Sequence, residues 1–162
     1  LNFCYQNTAE GGAVSIGSRN RLFNITTFNE YTDIEIRLGT LEELIEESSL
    51  CIKSKNISEY LDSLRNYVRS KSLIQIDKHP ITGIGVETRY QFTPSDLMCR
   101  IESVGFKVKN IYPVNYHAFN PIIADDQTAL IRKQIAEFIS NEGQTKFQCL
   151  PNSSSFVMEA KK

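Results

Sequence analysis

The spacing of apolar positions changes several times along this 162-residue chain. Leu1 to Tyr5 reads as the end of an amphipathic element, and a polar stretch over residues 7–10 follows it. The pair Gly11-Gly12 then leads into Ala13-Val14-Ser15-Ile16-Gly17, a compact apolar run of strand length. It stops at Ser18-Arg19-Asn20-Arg21, so the pattern predicts a buried strand whose C-terminal end delivers polar side chains. Residues 22–38 mix Phe23, Phe28, Tyr31, Ile34 and Ile36 with Asn and Thr. Local signals there conflict between short helix and extended loop, and the pattern leaves the stretch open.

Helical periodicity takes over at Thr40, which is placed to cap a helix with Glu42 and Glu43 in its first turn and Leu41, Leu44 and Ile45 as its apolar stripe. Asn56-Ile57-Ser58-Glu59 opens a second helix, with Tyr60, Leu61, Leu64, Tyr67 and Val68 three or four apart and Arg65 and Arg69 near its end. Together they predict a helical hairpin, an insertion over residues 40–70. Residues 73–84 read as loop and residues 86–92 as a short extended segment. Thr93-Pro94-Ser95-Asp96 combines a cap, a proline at the first helical position and an acid facing the dipole. Leu97, Met98, Ile101 and Val104 supply that helix's stripe, and Gly105 stops it. A strand over residues 106–116, a helix from about Asp125 to Asn141 and a closing strand from Ser153 to Ala160 complete an α/β pattern in one domain, residues 1–162.

Composition changes this picture little, since 41% apolar and 23% charged residues fit a folded globular chain. Eighteen basic against 19 acidic residues leave a net charge of −1, with no electrostatic footprint for nucleic acid and no basic block for an anionic membrane. Cys4, Cys51, Cys99 and Cys149 lie 47, 48 and 50 residues apart, too far for a zinc knuckle or redox pair, and read as reduced thiols of a cytoplasmic protein. No metal site is expected.

Candidate chemistry is sparse. Gly83-Ile84-Gly85 lacks the strand before and the helix after that a phosphate-cradling turn needs, and reads as a turn. His79 beside Pro80 reads as a loop residue. Glu42-Glu43 and Glu46-Glu47 read as a solvated helix face. His117 follows a predicted strand, a place where α/β sheets present functional groups, and is either a site residue or a structural one. Ser18-Arg19-Asn20 stands equally just past a strand and either forms a site or merely satisfies backbone groups.

The order of segments supplies more. Gly11-Gly12-Ala13-Val14-Ser15-Ile16 followed by Ser18-Arg19-Asn20-Arg21-Leu22-Phe23-Asn24 resembles the fifth strand and following loop of class I S-adenosylmethionine-dependent methyltransferases. Tyr90-Gln91-Phe92-Thr93-Pro94-Ser95-Asp96-Leu97 with Gly105-Phe106 resembles the family's late Thr-Pro-capped helix, and Tyr112 to His117 its sixth strand. Ser154 to Lys161 resembles its last strand, which in the family runs antiparallel between its neighbours. The resemblance covers nearly the whole chain, although each piece alone is a common pattern.

The resemblance implies a fold class of α/β with part of a doubly wound, Rossmann-like sheet, the C-terminal half of the methyltransferase domain. The Gly-rich turn after the first strand and the acidic residue after the second, which hold the cofactor in that family, have no counterpart here. The implied function is methyl transfer from S-adenosyl-L-methionine to a small-molecule or glycan-precursor acceptor once the missing half is supplied. Arg19, Asn20, Tyr31, Tyr90 and Tyr116 are expected to line the acceptor pocket, with His117 as catalytic base. A βα unit takes about 25 residues, so four absent units add roughly 100 and a complete domain would reach about 260. The strand at Ala13 would then expose an edge, with aggregation or homodimerisation through it as the expected consequence. The rival reading is a non-enzymatic α/β interaction module without the cofactor half.

Overall fold

The computed structural model describes residues 1–67, 74–78, 85–117, 119–120, 130, 133–135, 137–138 and 146–162. Helices α1 (Asn2–Asn7), α2 (Asn24–Thr27), α3 (Glu30–Leu38), α4 (Leu41–Lys53), α5 (Ile57–Asn66) and α6 (Pro94–Ser103) and strands β1 (Ala13–Arg19), β2 (Ile74–Lys78), β3 (Gly85–Gln91), β4 (Lys107–Tyr116) and β5 (Ser153–Lys161) follow in the order α1-β1-α2-α3-α4-α5-β2-β3-α6-β4-β5. Three-residue-per-turn segments over Arg21–Phe23 and Phe147–Asn152 precede α2 and β5. The chain is mixed α/β.

Its main sheet has the order β1-β5-β4, with the last strand in the middle and antiparallel to both neighbours. β1 and β4 therefore run parallel to each other, and both end beside the start of β5: Arg19 pairs with Ser155 and Tyr116 with Ser153. β2 and β3 form a separate antiparallel pair. Contact between the two sheets includes a parallel bridge from Asn20 to Phe92, where the Phe92 amide donates to the Arg19 carbonyl at 3.3 Å and Arg21 donates to the Phe92 carbonyl at 3.0 Å.

Alternation on the strands sets one face of the sheet against the core. Val14 and Ile16 of β1, Phe156, Met158 and Ala160 of β5, and Val108 and Ile111 of β4 belong to or pack on one buried cluster. α5 and α6 supply Tyr60, Leu61, Leu64, Leu97, Met98 and Ile101 to the same cluster. Large apolar side chains buried in this way contribute about 1.5–3 kcal/mol each relative to exposure, and with Cys51 of α4 in the same cluster both helices of the predicted hairpin reach the core. α6 starts as predicted: the Thr93 side chain accepts from the Asp96 amide, Asp96 answers to the Thr93 amide, and Pro94 occupies the first turn. Gly105 follows at φ 108°, and a Cβ there would lie 2.7 Å from the Tyr5 ring, so conformation and space both demand glycine.

Several expectations are corrected. Residues 74–78 form β2 instead of loop, because a short Ile-Gln-Ile run gains ladder bonds from β3 that a local reading cannot see. On α4 the buried face is Leu44, Glu47, Ser48 and Cys51, while Ile45 is half exposed, so the stripe is rotated and Glu47 is not a solvated residue. α5 ends at Asn66, one residue before Tyr67; Val68 and Arg69 lie outside the described residues, as do His79 and most of the helix expected over 125–141. The stretch left open resolves into a tight turn, α2 and α3.

Candidate functional site

Because β1 and β4 are parallel, their carboxyl ends bring Arg19-Asn20 and Tyr116-His117 to one pole of the sheet. At that pole the chain after β1 turns sharply, and Asn20 shapes the turn. Its amide nitrogen donates to the Leu150 and Ser153 carbonyls at 2.7 and 2.8 Å, and its side-chain oxygen accepts from the Leu22 amide at 3.1 Å. All three bonds are buried and internal, so the Asn20 side chain stitches the turn to the start of β5.

Behind the turn lies a buried polar knot. The Arg21 guanidinium, with no exposed surface, grips Glu35 of α3 through two bonds of 2.8 and 2.7 Å. Thr40 donates to the same carboxylate at 2.5 Å, and the Asn24 amide donates to Glu35 at 2.9 Å and to Gln91 of β3 at 2.8 Å. Burial pushes the Glu35 carboxyl up, but the hydrogen bonds from Arg21, Thr40 and Asn24 and the Arg21 charge outweigh it and leave the pKa below the ordinary carboxylate value. A buried pair of this kind is tolerable because each polar atom finds a partner. It ties β1, α3, α4 and β3 into one frame.

His117 leaves β4 at the same pole. Its amide donates to the Asn152 carbonyl at 2.8 Å, and its ring stacks on Phe23 at 4.9 Å with planes 29° apart. Partial burial lowers its pKa, so the imidazole is neutral near pH 7 and retains an acceptor nitrogen. Three residues on, the Asn120 amide donates to the Thr26 carbonyl of α2 at 2.8 Å. The segments after β1 and after β4 thus meet at two points.

The remaining predicted residues fall around this pole. Arg19 is exposed at the tip of β1, and Tyr116 is half-buried. Tyr90 is 48% exposed on β3, two residues before Phe92, whose backbone bonds to the β1 tip. Tyr31 is half-buried one helical turn before Glu35, on the face of α3 that meets the knot.

α6 also begins here. Its first amides would attract an anion, but Glu47 of α4 already occupies that place, accepting from the Ser95 amide at 2.8 Å and the Ser95 hydroxyl at 2.7 Å. Deeper, burial pushes the Cys51 thiol up to about 12, and it donates to the Phe147 carbonyl at 2.8 Å. That thiol is inert packing material. Among the described residues no group of three His, Cys, Asp or Glu side chains could hold a metal ion, and no helix is long and apolar enough to cross a membrane.

Sequence reasoning missed Phe23, Arg21, Asn24, Glu35, Thr40, Gln91 and Glu47. Most of their partners lie far along the chain, Arg21 from Glu35 by 14 residues, Glu47 from Ser95 by 48 and Asn24 from Gln91 by 67, and such pairs leave no periodic trace. Set beside family profiles, curated proteins and solved structures, the chain matches none.

Proposed function

We propose that this chain is the acceptor-side, C-terminal part of a class I S-adenosylmethionine-dependent methyltransferase acting on a small molecule or glycan precursor in the cytoplasm. The observation that carries the reading is the sheet order: the last strand lies antiparallel between β1 and β4, as expected for the last strand of that family between its fifth and sixth. The Rossmann-like assignment belongs to this proposal, since every adjacent pair of strands within the described sheets is antiparallel.

The described residues do not fit the cofactor. The amide-rich start of α6 is filled by Glu47, and the Glu35 carboxylate is held by Arg21, Thr40 and Asn24, so neither is available to a ribose or a methionine group. In this reading the cofactor is gripped elsewhere in the full-length protein, and these residues serve the acceptor. Neutral His117, its ring fixed by Phe23, accepts a proton from the acceptor's nucleophilic atom. Arg19, Tyr90 and Tyr116 border the approach, Tyr31 lies behind it, and Asn20 holds the turn that shapes it. The outer edge of β1, which no described strand covers beyond the Asn20–Phe92 bridge, also favours a second reading, a non-enzymatic module that recruits a partner strand.

Reading the gene upstream of Leu1 tests the proposal. A coding region with a strand, a Gly-rich turn and an acidic residue after the next strand is expected. A start codon close before Leu1 would sink the enzyme reading and leave the module.

A further inference from the structure

α2 ends in an unusual way. A helix stop in the left-handed region is normally made by glycine or asparagine, yet here it is Phe28, at φ 48° and ψ 43°, with its ring 73% exposed. A bulky side chain in that region is strained, and an exposed phenyl ring gains nothing from burial. Folding of residues 1–162 alone would favour another residue.

Its location gives the expense a use. Thr26, two residues before Phe28, accepts the hydrogen bond from Asn120 that joins the segment after β1 to the segment after β4. Phe119, immediately before Asn120, is also exposed, at 39%. The Phe23–His117 stack lies just inside the same junction. Two exposed phenylalanines therefore stand beside the two ends of this tie in sequence, and the candidate base belongs to the same junction.

We infer that Phe28 and Phe119 form an aromatic lip that grips the acceptor, and that the acceptor carries a planar aromatic ring next to its nucleophilic atom. The inference rests on the proposed function, because it takes this pole as the acceptor site. Aromatic rings prefer offset or edge-to-face partners, and such contacts hold a flat molecule in one orientation over the His117 ring. The strain at Phe28 is then the cost of a functional position.

The test uses 4-methylumbelliferone, a phenolic ring system whose own fluorescence is excited at wavelengths longer than those the protein absorbs. Phe28→Asn is expected to weaken probe binding about fivefold or more while leaving Tm at or above that of the parent, because asparagine accepts the left-handed conformation. Phe119→Ala is expected to weaken binding likewise. Phe3→Ala, which removes an equally exposed ring on α1 at the opposite pole, is expected to leave it unchanged. Probe affinity indifferent to Phe28 and Phe119, or reduced equally by Phe3→Ala, would overturn the inference. So would competition by methyl glucopyranoside with the same dependence on the two rings, which would assign the lip to sugars. Absence of methyl transfer by the full-length gene product, with the probe results intact, removes the proposed function and leaves a ring-binding lip.

Discussion

The two strands that flank β5 meet the outside in different ways. β4 begins with Lys107 and Lys109, shifts register between Val108 and Asn110, carries Pro113, and holds Asn115 at φ 54°. Lysines, a bulge and a proline are the devices by which natural sheets blunt a terminal edge. β1 has none of them: Ala13-Val14-Ser15-Ile16-Gly17-Ser18 pairs with β5 in unbroken register, and its only charge is Arg19 at the tip. Hydrogen bonds of Lys162 to Gly12 and of Asn20 to Ser154 put the even-numbered residues of β1 on β5. The N–H and C=O groups of Ala13, Ser15 and Gly17 therefore point away from β5, to a side where no described strand pairs with them. Charged, bulged and proline-bearing edges are typical of strands that end a sheet, so of the two flanking strands β1 is the one that the proposed function extends.

The ends of the two strands differ as well, and the largest expected effect lies there. β1 runs into the buried knot, so Glu35→Gln, which leaves the Arg21 charge uncompensated, is expected to cost about 3–5 kcal/mol in denaturant unfolding. Glu35 also gives the knot a pH signature. Its folded pKa lies below the ordinary value of 4.5, so its contribution is complete above that value and is lost as pH falls through the lowered folded value. The parent should lose more stability than Glu35→Gln between neutral and acid pH. Equal losses would show that the knot contributes little.

A middle-sized effect concerns the edge itself. The chain is expected to self-associate through β1, and Ser15→Pro, which removes an outward N–H from a site where no described partner uses it, is expected to sediment as a monomer. A parent chain that is monomeric throughout would remove the argument that β1 is an interior strand.

The smallest effect tests the end of β4, where an aromatic stack takes the place of an ion pair. Phe23→Ala is expected to let water reach His117 and raise its pKa toward 6.5, read by NMR titration of the imidazole. Sign and window follow: a base whose pKa is lowered by folding contributes stability above its unfolded value and loses it as pH falls, and the variant should lose less. An unchanged titration would mean that residues other than Phe23 shield the ring.

These contrasts also show what one sequence discloses. Elements with local causes were legible, such as the Thr93-Pro94-Asp96 start of α6, the Gly11-Gly12 entry to β1 and the closing strand β5. The carboxyl end of β1 was legible as a place of interest, but Asn20 proved to be a stitch in the backbone and its neighbour Arg21 the more deeply engaged residue. Glu47 was misread because adjacent acids on a helix normally face water, and only the start of α6, 48 residues later, explains its burial. Long-range polar pairs obey geometry that periodicity does not encode.

Calorimetric titration of S-adenosylmethionine into the full-length gene product and into residues 1–162 tests the central claim, that the sheet continues past β1 into a cofactor-binding half. Binding by the full-length product and none by residues 1–162 is the predicted result. Tight binding by residues 1–162, or none by the full-length product, would contradict it.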